Sequence, residues 1–376
     1  MSDNGMSVLS HTRWVLATIL VLLLVPIRPA GADSAVMTLI HDAVVTWAGW
    51  SPDESTLLTT SEDGTARLWD HASGEPVRVY NHGAPVRGAA WDRSGRQFVT
   101  WTDAGDITLW SVDQAEPAVH LAYSPPVRGV MFAPDSESIL AWGGDAVMEW
   151  STHGEPLLRL EHRSPVRMAQ WSDNGAHILT FAEAGAAVIW DASTGERISE
   201  QAFGGDVLGA AWTAAEDRVL AWTMSHGVQV WRAGTSAPSL TLPHRTFVDG
   251  AVWNADETRI LSWSGDDTAK VWDAQSGDEI LTLRHIDWVE GARFSQDETR
   301  ILTWSYDSVF VWRDSGERLG EFRHDMLVTG AVWNQSEDYV LSWGWDGTAR
   351  VWDARALTGE VVPTPEPQQG VGPGSL

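Results

Sequence analysis

Eight tryptophans recur along this chain at intervals of 40 or 41 residues: Trp69, Trp110, Trp150, Trp190, Trp231, Trp272, Trp312 and Trp352. Each closes the same cassette, clearest at 339–353 (YVLSWGWDGTARVWD) and repeated at 259–273 (RILSWSGDDTAKVWD) and 56–70 (TLLTTSEDGTARLWD). The cassette reads as two short strands around a tight turn, with Asp346-Gly347 as the hairpin signal between alternating runs. A period near 40 with four short strands per unit is that of a β-propeller blade. The expected fold is all-β: a closed propeller of eight blades, each of four antiparallel strands, over residues 33–355. Seven blades with one decorative unit is the less economical reading.

Closure has its own signal. The run 36–40 (VMTLI) ends in His41 as 280–284 (ILTLR) ends in His285. It therefore reads as an outer strand that arrives ahead of its own blade, to lie beside the last blade and close the ring. The continuation after the last cassette is broken by Pro363 and Pro365, and proline is poorly tolerated in a strand. An unclosed ring would leave an open sheet edge. Residues 356–376, rich in Pro, Gly and Gln, are expected to be a disordered tail.

Residues 1–32 read as a signal peptide: Arg13, an apolar run from Trp14 to Ile27 broken by Pro26, then Ala30-Gly31-Ala32 as small residues for cleavage. The run is shorter than the roughly 20 apolar residues of a membrane span, so the expected location is periplasmic or secreted, without a stable span after cleavage; an uncleaved anchor is the alternative. The chain has no cysteine, which removes disulfides, thiol nucleophiles and thiolate metal sites. Its net charge is −26, and such a surface repels nucleic acid and anionic lipid. The acidity itself, with Arg far ahead of Lys, reads as composition and names no function.

The Trp-Asp pairs 69–70, 190–191, 272–273 and 352–353 closing these cassettes resemble the WD-repeat family. The resemblance covers roughly the whole repeat region and implies a buried network in each blade: a histidine before the inner strand, a Ser/Thr, a turn aspartate and the closing tryptophan. Residue by residue it is complete in three blades: His41, Thr59, Asp63 and Trp69 in the first, His244, Ser262, Asp266 and Trp272 in the sixth, His324, Ser342, Asp346 and Trp352 in the eighth. His82, His162 and His285 hold the same place elsewhere. Tyr123 and Phe203 replace the histidine in blades three and five, and Ala104 and Ala184 replace the turn aspartate in blades two and four. In blades three and seven the turn is one residue shorter. Those blades are expected to lean on apolar packing. A second ring series (Trp101, Trp142, Trp222, Trp263, Trp304, Trp343) faces glycines of the neighbouring inner strand in register, large against small. One ring per blade is expected to fill each seam.

The resemblance places partners on the face formed by the loops that lead into the inner strands and by the turns before the closing strands. There, three consecutive blades offer Arg87, Arg128 and Arg167, which could together hold a carboxylate or phosphate, and two on the far side offer Asp249 and Glu290. Phe247, Trp288, Tyr306 and Trp345, all in blades six to eight, form a candidate aromatic patch. Acidic pairs such as Asp297-Glu298 and Glu337-Asp338, in turns of the opposite face, read as solvated. No nucleophile elbow, phosphate loop or helical metal motif is present, so no catalytic residue, metal or cofactor is expected. The function expected is a non-enzymatic scaffold that docks a protein or peptide at the channel mouth. The alternatives are a propeller resembling the quinone-dependent periplasmic dehydrogenases, with the Arg trio and the acid pair as contacts, and a self-assembling structural protein.

Overall fold

The computed structural model describes residues 34–357 apart from 124–125, 204–206, 226, 233–234 and 236. The leader at 1–32 and the tail beyond Leu357 lie outside the described residues. Within them the chain forms eight four-stranded antiparallel sheets. Blade one is representative: an inner strand Val45–Trp50, a second Thr56–Ser61, a third Thr65–Asp70 and an outer Pro76–Asn81. Seven sheets are built from consecutive strands. The eighth takes its outer strand, Met37–Ile40, from the start of the chain, paired antiparallel with the third strand at Met37↔Val351 through Ile40↔Thr348. The N-terminal strand therefore closes the ring.

The second strand of every blade contacts the inner strand of the next, blade eight against blade one included. This circuit puts the first strands around a central channel. Buried apolar side chains form eight clusters, each shared by two neighbouring blades, so the core lies in the seams.

The ring series supplies one large side chain to each seam. Trp101 is paired with Gly88 and Trp263 with Gly250, and the indole covers the glycine so closely that a β-carbon at Gly88 would stand 2.4 Å from Trp101. Blade one inverts the pair, Trp47 against Thr60, and blade four sets Phe181 against Met168. A bulge follows the first residue of the inner strand in seven of the eight blades, as at Val86/Gly88. The extra residue of that bulge is Thr46, Arg87, Arg167, Leu208, Asp249, Glu290 or Thr329, a geometry known to re-aim a side chain.

A 3-10 turn, Arg355–Leu357, continues past the last strand, and Leu357 packs onto Gly320 and the core between blades seven and eight. No described helix is long and apolar enough to cross a membrane.

Candidate functional site

The bulged residues, with Arg128 at the equivalent place in blade three, carry charges that are not equivalent. Arg87 is held by Glu62 at 2.5 Å and Asp103 at 2.6 Å. Arg128 reaches Glu183 at 2.7 Å, and Arg167 lies 3.8 Å from the same carboxylate. The three guanidinium groups are thus already matched by carboxylates of neighbouring turns rather than converging on an open anion site. Asp249 and Glu290 differ: both are exposed to the channel, yet enclosing protein and then the charge of Glu290 push the Asp249 carboxyl up to about 7. Thr46 donates to the Val86 carbonyl of the next blade at 2.8 Å, tying the mouth together across the first seam.

The aromatic residues fall into two groups. Phe247 and Trp288, each half-buried, meet edge to face at 5.3 Å between ring centroids. Phe247 also lies over Gly265, where a β-carbon would come within 2.6 Å of its ring. Tyr306 and Trp345 are 56% and 46% exposed. Their backbones bracket the loop leading into blade eight: Val328 N–H donates to the Tyr306 carbonyl at 2.7 Å, and Trp345 N–H donates to the Leu327 carbonyl at 2.8 Å. Ser305, next to Tyr306, donates its hydroxyl to the carbonyl of Asp287, next to Trp288, at 2.9 Å. Ring, side-chain and backbone contacts thus link the four positions across blades six to eight. Along it Ile286 and Met326 are also exposed, at 95% and 50%. No position rule of the repeat pointed to these two.

In the three blades with a full set of network residues, one hydroxyl serves two buried rings. Thr59 Oγ1 lies 2.7 Å from His41 Nε2 and accepts from Trp69 Nε1 at 2.8 Å. Ser262 meets His244 at 2.8 Å and Trp272 at 2.8 Å, and Ser342 meets His324 at 2.7 Å and Trp352 at 2.7 Å. Asp63, Asp266 and Asp346 take the other imidazole nitrogen at 2.8, 3.1 and 3.0 Å. Burial acts to raise Asp63, but hydrogen bonds from Thr65 and His41 outweigh it and hold the carboxyl at about 2.

The incomplete blades improvise. Where Tyr123 replaces histidine, its hydroxyl donates to the Ala146 carbonyl and accepts from Gly144 N–H, so polar contacts survive in blade three. In blade five Phe203 meets Trp231 at 5.0 Å, and the Trp231 indole still donates to Gln229 at 3.1 Å. These same two blades carry Ala141 and Ala221 where the others have Ser or Thr. In blade seven Thr303 still accepts from Trp312 at 2.8 Å, whereas both nitrogens of His285 are buried without a hydrogen-bond partner among the described residues.

The opposite face corrects one expectation. Its acidic turns are not merely solvated: they clasp neighbouring blades. Glu257 accepts from Ala214 N–H at 2.6 Å and from Arg218 at 2.9 Å. Glu298 accepts from Ala255 N–H at 2.7 Å and Arg259 at 2.6 Å, and Glu337, 6% exposed, holds Arg300 at 3.2 Å. Glu54 repeats the clasp across the closure, accepting from Asn334 at 3.1 Å. The arginines stack as they reach over, Arg218 4.7 Å from the Trp253 ring centre and Arg300 4.6 Å from that of Trp333. These rings belong to a third series overlooked in the repeat: Trp50, Trp91, Phe132, Trp171, Trp212, Trp253, Phe294 and Trp333 end the eight inner strands. The recurrent Glu-x-Arg at 257–259, 298–300 and its relative Glu216–Arg218 was the visible signal.

A family model for the WD domain, G-beta repeat, matches residues 34–70 and 316–353, the first and last units. No curated protein sequence matches the chain. Among solved structures, the computationally designed protein Ika8 is similar at 20% identity, a TM-score of 0.75 and coverage of 86% of this chain and 100% of its own. The C-terminal WD40 domain of Sif2 is similar at 16% identity and TM-score 0.74, covering 86% and 99%. Sqt1 of Saccharomyces cerevisiae follows at 14% identity and TM-score 0.76, with the same coverage. At these identities the likeness concerns the fold.

Proposed function

We propose that this eight-bladed propeller, whose first and last units match the WD repeat model, is a non-enzymatic scaffold docking a protein or peptide on the channel-mouth face of blades six to eight. The observation that carries this reading is the concentration of exposed apolar side chains in two blades. On that face Ile286, Tyr306, Met326 and Trp345 of blades seven and eight are exposed, against Met224 in blade five, and the Phe247–Trp288 pair, Asp249 and Glu290 belong to blades six and seven. Exposed aromatics beside unlike charge are the composition of interaction hot spots. The acid pair, in a chain of net charge −26, favours a partner segment that carries basic residues. A preformed ring keeps the ordering cost of docking low. The Arg trio, already ion-paired, lends no support to a quinone or phosphate ligand. The apolar leader at 14–27 supports an exported location, periplasmic or extracellular.

The test is affinity capture from an extracytoplasmic extract by the chain from residue 33 onward, beside a Trp288→Ala/Trp345→Ala variant matched in thermal stability. A specific protein retained by the first and lost by the second is the expected result. Equal retention by both would remove blades six to eight as the site. Retention by neither would remove the scaffold reading in its present form.

A further inference from the structure

A different part of the ring breaks the repeat in a way that docking at the mouth does not use. In the third strand, the residue before the closing tryptophan is Leu68, Leu109, Ile189, Val230, Val271, Val311 or Val351 in seven blades. In blade three it is Glu149. The register leaves no doubt of equivalence, since Glu149 pairs with Leu140 as Val351 pairs with Leu341 and Val230 with Leu220. Glu149 is only 7% exposed and accepts a hydrogen bond from Ser138 at 2.6 Å. An acid at an apolar core position with one neutral donor is expensive to keep, and burial pushes its carboxyl up against the opposing pull of Ser138.

Ser138 is itself a departure. The same place at the start of the second strand holds Thr56, Gln97 and His177 in blades one, two and four and Arg218, Arg259, Arg300 and Tyr339 in blades five to eight. Ser138 and Glu149 line a groove of about 600 Å³ between blades three and four, walled by Ala133, Pro134, Trp171 and Ala176. Comparable grooves at two other seams carry Val230 and Val351 at that point. Trp171 is also buried, and its indole N–H has no hydrogen-bond partner among the described residues. Asp135 and Asp191 add negative charge to the rim against the single Arg93, while His177 is engaged with Glu216 of the next blade.

We propose that this groove is a binding site for a small organic ammonium compound, whose cationic group is held by Glu149 while its apolar body lies along Trp171 and the alanine and proline wall. The volume is that of a small-molecule site with apolar walls and few polar anchors. A carboxylate and an indole lining one groove attract a cation by charge and by the ring quadrupole together. Binding requires the ionised carboxylate, so affinity rises with pH as the free site gives up its proton.

The test uses the full chain and ligand-observed saturation-transfer NMR with three probes, butylamine, phenethylamine and cadaverine, each beside its neutral alcohol. Saturable binding of at least one amine is expected, at least about tenfold tighter than its alcohol and stronger at pH 8 than at pH 5. Glu149→Gln is expected to weaken the amine by about tenfold or more without lowering Tm. Glu149→Val, restoring the residue type of the other blades, should abolish binding and raise Tm. The proposal is overturned if no amine saturates below about 10 mM, if the alcohols bind equally, or if the glutamine variant binds as the parent does.

Discussion

One hydroxyl decides much of a blade's polar interior. Ser262 accepts from the Trp272 indole and meets His244 Nε2, and all three side chains are buried. Ser262→Ala is expected to cost about 3 kcal/mol, because two buried groups lose their partner at once; chemical denaturation measures it. Blade seven supplies the opposite case. His285 contacts Phe310 and Trp312 at 5.0 and 5.4 Å but makes no hydrogen bond among the described residues, so His285→Phe should be neutral or stabilising. The pH dependence follows from the same burial. His82, His162 and His285 are each held at about 4 by burial. Between 6.5 and 4 the unfolded chain takes up protons that the folded chain refuses, so stability is lost as pH falls through that window. His285→Phe should shallow this acid limb. Asp249 has the reverse sign. Its carboxyl, raised to about 7, favours the folded state below pH 4, and that contribution is lost as pH rises towards 7. Asp249→Asn should therefore raise Tm at pH 8 and leave it nearly unchanged at pH 4.

At the scale of the blade, the pairing of indole and glycine fixes both register and seam. A β-carbon built on Gly250 would stand 2.0 Å from the Trp263 ring, so Gly250→Ala is expected to destabilise by about 2–3 kcal/mol, with partial recovery on adding Trp263→Phe. This element was legible in the sequence because size complementarity repeats at fixed offsets: Gly88 with Trp101, Gly291 with Trp304, the inversion at Trp47 and Thr60, and Phe181 with Met168. The inter-blade clasps were not, although Glu257, Glu298 and Glu337 recur just as regularly. A turn glutamate is ordinarily solvated, and only the packing of two blades puts a neighbour's backbone N–H and guanidinium within its reach. The third ring series escaped notice for a related reason. Its arginine partners come from the preceding blade, so no single repeat contains the contact.

Across the whole molecule, closure depends on residues far apart in the chain. Leu39, fully buried, enters the seam between blades eight and one, and Glu54 clasps Asn334 across the same boundary. Deleting residues 34–40 should expose the edge of the third strand of blade eight, and light scattering should then report a mass that rises with concentration. The ring was foreseeable from its 40-residue period, and its closure from the stray strand before His41. The site was less so. Sequence could collect Phe247, Trp288, Tyr306 and Trp345 into adjacent blades, but not show that Arg87, Arg128 and Arg167 are consumed by Glu62, Asp103 and Glu183. Those carboxylates come from turns whose direction only the folded ring defines. Hydrogen exchange of the full chain with and without its captured partner measures the central claim directly. The expected result is protection confined to the lead-in loops and turns of blades six to eight, near 244–248, 285–289, 306, 324–328 and 345. Protection on the outer strands, or at the mouth of blades one to four, would contradict it.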